Sequence, residues 1–598
     1  MSGLSYRCSD NKFHKIRGRK ACYNAPTTDI DNTLTPAKRA YRRFFLKKKD
    51  KAAQEFLAKP TRSTTWSNIE LKENYTPEDR KDKEDEADPG QYPYTRGIFS
   101  KMYRGKLWTQ RQQMGWGLPE NINKQFKILL DQGATGLAWY RDLPATLGLD
   151  PDHPMAHGAI GRVGVTFCCL DDMEKAMADL PLDSLSMTLI NASTTNIAVL
   201  AAYVAAAEKR GIPLEKLRGT LTNDPIFSYF CHSKEVNPLD FALQVVGDVI
   251  EYCSVKMPLW STMYISSFYN LRESGELSAP QEVAWGFAVA MDFIRSAVSR
   301  GIDIDSFAPR ASSFCQAGVD IFEEAAKMRA MRRMWAKMMK ETFNAKNKKS
   351  LQLKIAAQST GSQLVGARPL NNIIRVAYQL LGAALGGAQS ITCDTYLEPF
   401  CVPTPESSKV ALGTHQILAH ETSIPAVADP LGGSYYIEEL TDTIQKEAEE
   451  ILNKIEDMGG FVEAIKKGYI QTELDRGIVD FQKQIESGKR VVVGENKFIF
   501  SEDDELFEDE LTDVPQEEIE KEAIKRVKDL RKSRNKSNIK DALHNLSMEA
   551  EKKGNLLPPA IEAVKASATL EEIMNTVRNA MGYTRDPFSM RNDLPPFE

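Results

Sequence analysis

Short β-like runs alternate with longer amphipathic helical patterns over residues 92–480 of this 598-residue chain. The strand candidates are 164–168, 184–191, 219–222, 259–266 and 351–356, and the helices between them include 197–210, 280–300 and 319–342. Repeated βα units of this kind produce parallel strands joined by crossover helices, and about eight of them fit one TIM (β/α)8 barrel with insertions. The sequence therefore predicts an α/β barrel as the main fold.

The segments on either side of this region differ from it in charge. Lys and Arg are dense between Lys12 and Lys51, and a strongly acidic stretch covers residues 502–522. A basic arm can hold an acidic partner surface, and a solvated extension is the open alternative. We expect three parts: a basic and mixed-charge extension (1–91), the barrel (92–490), and an acidic linker followed by a C-terminal helical segment (491–598).

Composition and charge exclude several classes of protein. A net charge of −5 argues against nucleic-acid binding. No apolar run approaches the roughly 18–20 residues that span a bilayer, and the N-terminus lacks the apolar core of a signal peptide. The nine cysteines show no paired metal-ligand spacing, which is typical of thiols in a reducing compartment. We expect a cytoplasmic protein that binds neither nucleic acid nor membranes.

Small hydroxyl side chains stand at alternate positions in three strand candidates. Alternate positions share one face of a strand, whereas most TIM barrels fill their axis with Val, Ile and Leu. Hydroxyls on the inward face would line a hydrogen-bonding tunnel, and the alternative is that they face the helices and bond to backbone. The residues are Ser186 and Thr188, Thr220 and Thr222, and Thr262, Tyr264 and Ser266.

Seven segments carry a resemblance to a known family: TRGIFSKMY, LPLDSLSMT, GTLTND, FYNLRESG, FAPRASSF, AQSTGSQL and DPLGGSYYIEELT. In this order, over roughly residues 92–500, they resemble the catalytic barrel of the adenosylcobalamin-dependent acyl-CoA mutases. The resemblance implies that the pantetheine arm of coenzyme A threads the barrel axis and that adenosylcobalamin covers the C-terminal mouth. It also implies radical chemistry, in which the cobalt–carbon bond breaks homolytically and a thioester group migrates to the neighbouring carbon.

Family members that bind cobalamin within one chain carry an Asp-x-His-x-x-Gly signature in a separate Rossmann-like domain. None of the seven histidines of this chain fits that signature. The resemblance therefore implies a large catalytic subunit that binds adenosylcobalamin together with a separate small cobalamin-binding subunit, as a heterodimer or heterotetramer.

Positions within the matched segments imply binding roles for individual residues. Arg310 matches the arginine that holds the nucleotide phosphates of coenzyme A, a task that suits the bidentate guanidinium; a structural ion pair is the alternative. The other implied coenzyme A or substrate positions are Ser312, Lys106, Thr109, Lys354, Gln358, Thr222, Ser186 and Thr188. The implied cofactor positions are Glu273 at the corrin face, Glu398 at the adenosyl ribose, and Asp394 and Tyr140 near the adenosine, with solvated surface carboxylates as the alternative for the three acids.

Three positions depart from the members that act on methylmalonyl-CoA. Gln113 replaces a tyrosine over the active centre, His232 replaces the arginine that clamps the free carboxylate of the substrate, and Asn270 replaces a histidine beside the thioester carbonyl. An amide cannot protonate a substrate at neutral pH, but it can donate a hydrogen bond to a thioester carbonyl. We expect Asn270, Gln113, His232 and the neighbouring Tyr269 to form the catalytic set.

The loss of the arginine clamp bears on the substrate. A histidine is mostly neutral near pH 7, and one buried charge-assisted pair contributes on the order of 2–5 kcal/mol. We therefore expect a mutase that acts on a branched, hydroxylated or otherwise substituted acyl-CoA other than methylmalonyl-CoA. The alternatives are a methylmalonyl-CoA mutase that uses other residues, and a non-catalytic, mutase-like partner subunit.

Overall fold

The structure is a computed structural model, and it describes residues 63–80, 87–131, 133–134, 136–190, 193–231, 236–499, 515–584, 586–588 and 590. At positions 112–114 and 231 it describes the backbone alone. His232, the basic run from Lys12 to Lys51 and most of the acidic stretch 502–522 lie outside these residues. The described part belongs to the compact unit Arg62–Glu598.

The main element is a parallel sheet of nine strands in the spatial order β7-β6-β5-β3-β1-β11-β10-β9-β8. A separate pair, β2 and β4, lies outside it. The strands are β1 (Thr109–Met114), β2 (Trp116–Gly117), β3 (Gly136–Tyr140), β4 (Gly164–Val165), β5 (Ser186–Ile190), β6 (Arg218–Leu221), β7 (Trp260–Ser261), β8 (Tyr264–Ile265), β9 (Ser312–Ala317), β10 (Lys354–Ser359) and β11 (Ser390–Thr392).

The two edge strands of this sheet are pieces of one segment, 260–265. β7 pairs with β6 through Thr220 and Ser261, and β8 pairs with β9 through Tyr264 and Ser312. The segment thereby joins the two ends of the sheet, so that eight strand positions surround one axis. This arrangement confirms the predicted TIM barrel.

Helices follow most of the barrel strands and cover the outside of the sheet. The α-helices are Met102–Gly105, Pro119–Asp131, Leu143–Leu147, Leu170–Ala176, Asn196–Lys209, Ile226–Cys231, Leu239–Lys256, Ser267–Gly275, Ala279–Ser299, Ile304–Phe307, Ile321–Glu341, Asn371–Leu385, Pro405–His420, Tyr435–Asp457, Phe461–Lys466, Tyr469–Glu486, Gln516–Ser533, Lys536–Glu551, Leu557–Lys565 and Leu570–Ala580. Short 3₁₀ turns occur at Pro77–Arg80, Pro154–Ala156, Leu214–Lys216, Ala308–Arg310, Lys348–Leu351, Gly361–Gln363 and Ile424–Ala426. None of the described helices is long and apolar enough to cross a membrane.

The outward face of the strands forms an apolar core with these helices. Leu137 and Trp139 of β3 and Met187 of β5 are buried in one cluster with the helix Asn196–Lys209. The same cluster includes side chains of the C-terminal helices, among them Leu543. Hydrophobic burial against the barrel therefore anchors the C-terminal helical segment.

The helix Ala279–Ser299 shows how local sequence positions one wall of the barrel. Ser278 and Gln281 form a capping box, in which the Ser278 hydroxyl accepts from the Gln281 N–H at 3.3 Å and the Gln281 side chain accepts from the Ser278 N–H at 3.0 Å. Further along the helix, Gly286 lies against the ring of Phe268, where a β-carbon would be 2.1 Å from Cδ1. A glycine is required there, because it lets this helix approach the shorter helix Ser267–Gly275.

The structure corrects some strand predictions. Residues 164–168 do not form a barrel strand, since only Gly164–Val165 is extended and it pairs with β2. β10 begins at Lys354, three residues later than the start of the predicted strand 351–356. The long helices begin and end within two residues of their predicted bounds. The six cysteines whose side chains the structure describes are free thiols.

Candidate active site

A cavity of about 970 Å³ opens at the N-terminal end of the barrel and follows its axis. It is lined by side chains of seven of the eight strand positions, all except β3, together with the chain just before β1. Seven sequence-predicted residues line it: Lys106, Thr109, Ser186, Thr188, Arg310, Ser312 and Lys354. Thr220 and Tyr264 also line it, so hydroxyl groups do face the axis.

Cations gather around this cavity without acidic partners in its lining. Lys106, Arg111, Arg218, Arg310 and Lys354 line it, and none of the described lining residues carries a carboxylate. Such a grouping attracts polyanions, because low-dielectric walls concentrate the field of like charges.

Arg310 and Lys354 are held in place by backbone carbonyls. Arg310 Nε donates to the carbonyl of Pro258 at 3.2 Å, and Lys354 Nζ donates to the carbonyl of Pro309 at 2.6 Å. Burial, followed by repulsion from Arg310 and Lys349, lowers the pKa of Lys354 to about 8. An anion bound here would relieve that repulsion.

Arg111 is a functional candidate that the sequence reasoning left without a role. Its guanidinium lies inside the barrel and donates to Ser390 Oγ and Ser186 Oγ, each at 3.0 Å, and to the carbonyl of Leu137 at 3.3 Å. Burial lowers its pKa. The sequence could have predicted this position, because Arg111 stands two residues after Thr109 on β1 and alternate side chains share one face of a strand.

Above the cavity, aromatic rings narrow the barrel axis. The ring of Phe314 stacks on Tyr264 with centroids 5.3 Å apart and lies against Tyr269 with centroids 4.9 Å apart. All three side chains are buried and form one cluster. We call these three side chains, which pack on Ala356 at the inner end of the cavity, the aromatic wall.

The C-terminal mouth of the barrel is acidic. Asp394 follows β11, Glu398 lies in the turn beyond it, and Glu273 comes from the helix Ser267–Gly275. Gly361 marks how close two of these acids are, since a β-carbon there would lie 3.2 Å from Glu398 Cγ and 3.6 Å from Glu273 Oε1. We call this group of three carboxyls the acidic recess.

Crowding in the acidic recess raises the pKa values of Asp394 and Glu398. Burial, then Glu398 and Glu273, raise the pKa of Asp394 well above its usual range. Glu398 is open to solvent on one side, but the protein packed around it and the Glu273 carboxylate raise its pKa to about 7. Burial and the same carboxyls raise the pKa of Tyr140, which points into the recess from the end of β3.

Gln358 connects the aromatic wall to the acidic recess. Its amide donates to Asp394 Oδ1 at 3.0 Å and to the Tyr269 hydroxyl at 3.4 Å. The Tyr269 hydroxyl in turn donates to the carbonyl of Ser359 at 3.4 Å. Gln358 and Tyr269 thus lie between the aromatic wall and the acidic recess.

The remaining predicted residues are less fully placed. Thr222 does not line the cavity, because its hydroxyl donates to the carbonyl of Leu189 at 2.8 Å. Asn270 is half-buried between Tyr269 and Glu273 on one helix, and within the described part of the chain its side chain makes no hydrogen bond. Gln113 is known by its backbone alone, in β1. His232 is outside the described residues.

The acidic recess fits a ligand that carries hydroxyl groups. Among the described residues, Asp394 Oδ2 is buried and receives no hydrogen bond, a state that a bound donor would relieve. Carboxylates spaced around a glycine also match the paired hydroxyls of a ribose. These hydrogen-bond acceptors therefore suit the ribose of a nucleoside, such as the one in adenosylcobalamin.

Comparison with known proteins agrees with this geometry. The family model described as methylmalonyl-CoA mutase matches residues 64–583. The chain is 36% identical over 546 residues to the 2-hydroxyisobutanoyl-CoA mutase large subunit of Aquincola tertiaricarbonis, covering 91% of this chain and 95% of that protein. It is 33% identical over 520 residues to the methylmalonyl-CoA mutase large subunit of Porphyromonas gingivalis (87% and 72%) and 34% identical over 492 residues to the methylmalonyl-CoA mutase of Escherichia coli (82% and 68%). The chain therefore belongs to the methylmalonyl-CoA mutase family of cobalamin-dependent isomerases.

Proposed function

We propose that the protein is the large subunit of an adenosylcobalamin-dependent acyl-CoA mutase, which catalyses 1,2-migration of the thioester group on a branched or hydroxylated acyl-CoA. One observation carries the proposal: among the described residues, the barrel has cations with no carboxylate in the cavity lining at one end and crowded carboxyls at the other. Hydroxyls and an aromatic wall lie between them. The cationic end suits a ligand that carries phosphates. The acidic end suits the hydroxyl groups of a nucleoside, and the reactive part of the ligand would lie between the two ends.

The basic end would bind coenzyme A. Arg310, Lys354 and Lys106 would pair with its phosphates, and Ser186, Thr188 and Ser312 would hydrogen-bond the amides of the pantetheine arm. These contacts are equal in the ground state and the transition state, so they contribute affinity rather than rate. The cavity of about 970 Å³ lies at the upper end of the range for sites that enclose a ligand of this size.

The thioester would lie among neutral donors. Gln358 joins Tyr269 of the aromatic wall to the acidic recess, and the Asn270 amide is free of other partners within the described residues. Neutral N–H and O–H groups stabilise partial charge on a carbonyl oxygen without transferring a full proton. The stacked rings of Tyr264 and Phe314 would help to exclude water from the thioester.

The acidic recess would hold the cofactor. Glu398 and Asp394 would accept from the ribose hydroxyls, Tyr140 would lie near the adenosine, and Glu273 would face the corrin. When bound, adenosylcobalamin supplies a carbon radical by homolysis of its cobalt–carbon bond, and this radical removes a hydrogen atom from the substrate. The chain's own contribution is to hold both partners in a closed, dry barrel.

The proposed substrate rests on three replaced residues of this chain and on the name of one relative. Gln113, His232 and Asn270 replace the residues that contact the free carboxylate and the thioester in members that act on methylmalonyl-CoA. A relative with 36% identity is named a 2-hydroxyisobutanoyl-CoA mutase large subunit. Both facts favour a branched acyl chain without a small free carboxylate.

A separate small cobalamin-binding subunit is part of the proposal. Two of the relatives are themselves named large subunits, and the Asp-x-His-x-x-Gly signature does not occur in this sequence. Free thiols at all six cysteines whose side chains the structure describes support a reducing, cytoplasmic location.

Substitution of Arg310 by alanine tests the coenzyme A end. We expect Arg310→Ala to weaken binding of coenzyme A and of every acyl-CoA by a similar factor of about tenfold, because one charge-assisted hydrogen-bonding group is lost. Isothermal titration of the isolated chain measures this without a partner. The control is Arg476→Ala, an exposed helical arginine paired with Glu473, which should bind as wild type. A fall in kcat at unchanged KM in the assembled enzyme would contradict the assignment.

A further inference from the structure

Glu273 is the most firmly held carboxylate of the acidic recess. Its Oε1 accepts from the Ser362 N–H at 2.9 Å, and its Oε2 accepts from the Thr360 hydroxyl at 2.8 Å. A third donor, Gln316 Nε2, reaches Oε2 at 3.2 Å. Both oxygens are thereby engaged by protein donors before any ligand binds.

Gln316 supplies two of the contacts in this arrangement. It lies in β9 and is buried, with 2% of its surface exposed. Its amide has two N–H groups, and Nε2 contacts both Glu273 and the Thr360 hydroxyl. Gln316, Thr360 and Glu273 therefore form a closed triangle of hydrogen bonds.

The backbone of Gln316 is fixed from behind by buried charges. Its N–H donates to Glu282 Oε1 at 2.8 Å, and its carbonyl accepts from Lys327 Nζ at 2.6 Å. Lys327 and Glu282 pair at 2.6 Å, and Arg272 joins Glu282 at 2.5 Å. Arg272 directly precedes Glu273 in the helix Ser267–Gly275, so both ends of the triangle are tied to one rigid network.

We propose that Gln316 is a positioning residue that fixes the Glu273 carboxylate for the corrin-bearing cofactor. This inference rests on the proposed function. A glutamine suits the task because its amide is neutral: it orients the carboxylate while leaving the negative charge of the acidic recess intact. A lysine or arginine would cancel that charge, and an apolar side chain would remove one of the three donors that hold Glu273. Groups held in place in advance need no reorganisation when the ligand arrives.

A double-mutant cycle tests the contact without cofactor or partner. The variants are Gln316→Leu, Glu273→Ala and both together, and urea unfolding of the full chain measures each. We expect the double variant to lose at least about fivefold less in the unfolding equilibrium constant than the product of the single effects, since the two residues share one interaction. The control cycle pairs Gln316→Leu with Glu398→Ala, a carboxyl of the same recess that Gln316 does not contact among the described residues, and it should be additive. Additivity in both cycles would overturn the proposal.

Cofactor affinity in the assembled enzyme is the second measurement. Gln316→Leu should weaken adenosylcobalamin binding by about tenfold, as loss of a supporting partner commonly does, and should leave the KM for the acyl-CoA unchanged. Gln244→Leu, which removes a glutamine contact to the Gly554 carbonyl far from the mouth, controls for general destabilisation. Unchanged cofactor affinity beside a coupled cycle would overturn the positioning role.

Two further outcomes keep the role of Gln316 separate from the proposed function. If the assembled wild-type enzyme binds no adenosylcobalamin, the proposed function fails, and with it the role of Gln316 toward that cofactor, while the cycle still decides whether Gln316 holds Glu273. If Gln316→Leu does not fold, Gln316→Asn takes its place, because it keeps the amide but shortens its reach by one methylene. Wild-type cofactor affinity and additive unfolding in Gln316→Asn would also overturn the proposal.

Discussion

Lys354 is the titratable cation of the basic end, and its pKa of about 8 makes ligand binding depend on pH. Below pH 8 the amine is protonated and attracts phosphate, and above pH 8 it is neutral in the free protein. A bound polyanion raises the pKa, so affinity for coenzyme A should fall as pH rises from 7 to 9.5, by on the order of tenfold for a shift of one unit. Calorimetric dissociation constants across this range measure the effect.

The matched variant is Lys354→Arg, which stays charged throughout this range. It should abolish most of the pH dependence between 7 and 9.5, whereas Lys354→Met should show weak binding at every pH. An unchanged pH profile in Lys354→Arg would mean that another group titrates.

The sequence allowed functional residues to be identified only where they stood in or beside a recognisable motif. Arg310 stood in the matched segment FAPRASSF and Lys354 stood three residues before AQSTGSQL, and both line the cavity. Arg111 stood in none of the seven matched segments, and its burial and its contacts with Ser186 and Ser390 arise only when β1, β5 and β11 surround one axis. Gln316 had no motif at all, and its importance lies in partners from three other elements.

At the scale of elements, Gly286 determines how closely two helices approach. A β-carbon there would lie 2.1 Å from Phe268 Cδ1, and Phe268 is in the helix that carries Tyr269 and Glu273. Gly286→Ala should therefore destabilise the protein by about 1–3 kcal/mol, because overpacking forces the ring or the helix to move. Urea unfolding measures the loss.

Gly413→Ala is the control, since Gly413 lies in the helix Pro405–His420 and a β-carbon there would have no neighbour within 4 Å. This variant should gain roughly 0.5–1 kcal/mol from reduced backbone entropy in the unfolded chain. Equal effects of the two substitutions would show that packing against Phe268 does not limit the position.

The helices were easier to predict than the strands for a physical reason. A long amphipathic helix repeats its apolar pattern many times, so 197–210 and 280–300 were recognised with bounds close to those observed. The strands β1, β3, β9 and β11 were not predicted individually. Several are short, and β1 and β9 point polar side chains such as Arg111 and Gln316 into the barrel, which removes the apolar alternation that identifies a strand. The polar side chains inside the barrel therefore make these strands hard to recognise from the sequence.

At the scale of the whole molecule, the fold class followed from the number of βα units, and the two opposite ends of the active site were implied only by the family resemblance. Composition and periodicity along the chain did not indicate that cations and carboxyls would lie at opposite ends of one axis. The pairing of segment 260–265 with both β6 and β9 closes the barrel and creates those two ends. A radical reaction needs such an enclosure, because solvent would quench its intermediates.

The assembled enzyme should differ sharply from the isolated chain. The isolated chain should bind adenosylcobalamin weakly and show no turnover, since the proposed small subunit, with its Asp-x-His-x-x-Gly signature, would hold the cobalamin. Adding a small subunit with the Asp-x-His-x-x-Gly signature should produce a cob(II)alamin signal in electron paramagnetic resonance when substrate is present.

The proposed substrate class is tested by comparing turnover of isobutyryl-, hydroxyisobutyryl-, alkylsuccinyl- and methylmalonyl-CoA. Methylmalonyl-CoA should be turned over most slowly, because the proposed loss of the arginine clamp removes about 2–5 kcal/mol of binding to its free carboxylate. Turnover by the isolated chain would contradict the subunit proposal, and fastest turnover of methylmalonyl-CoA would contradict the substrate proposal while leaving the family assignment intact.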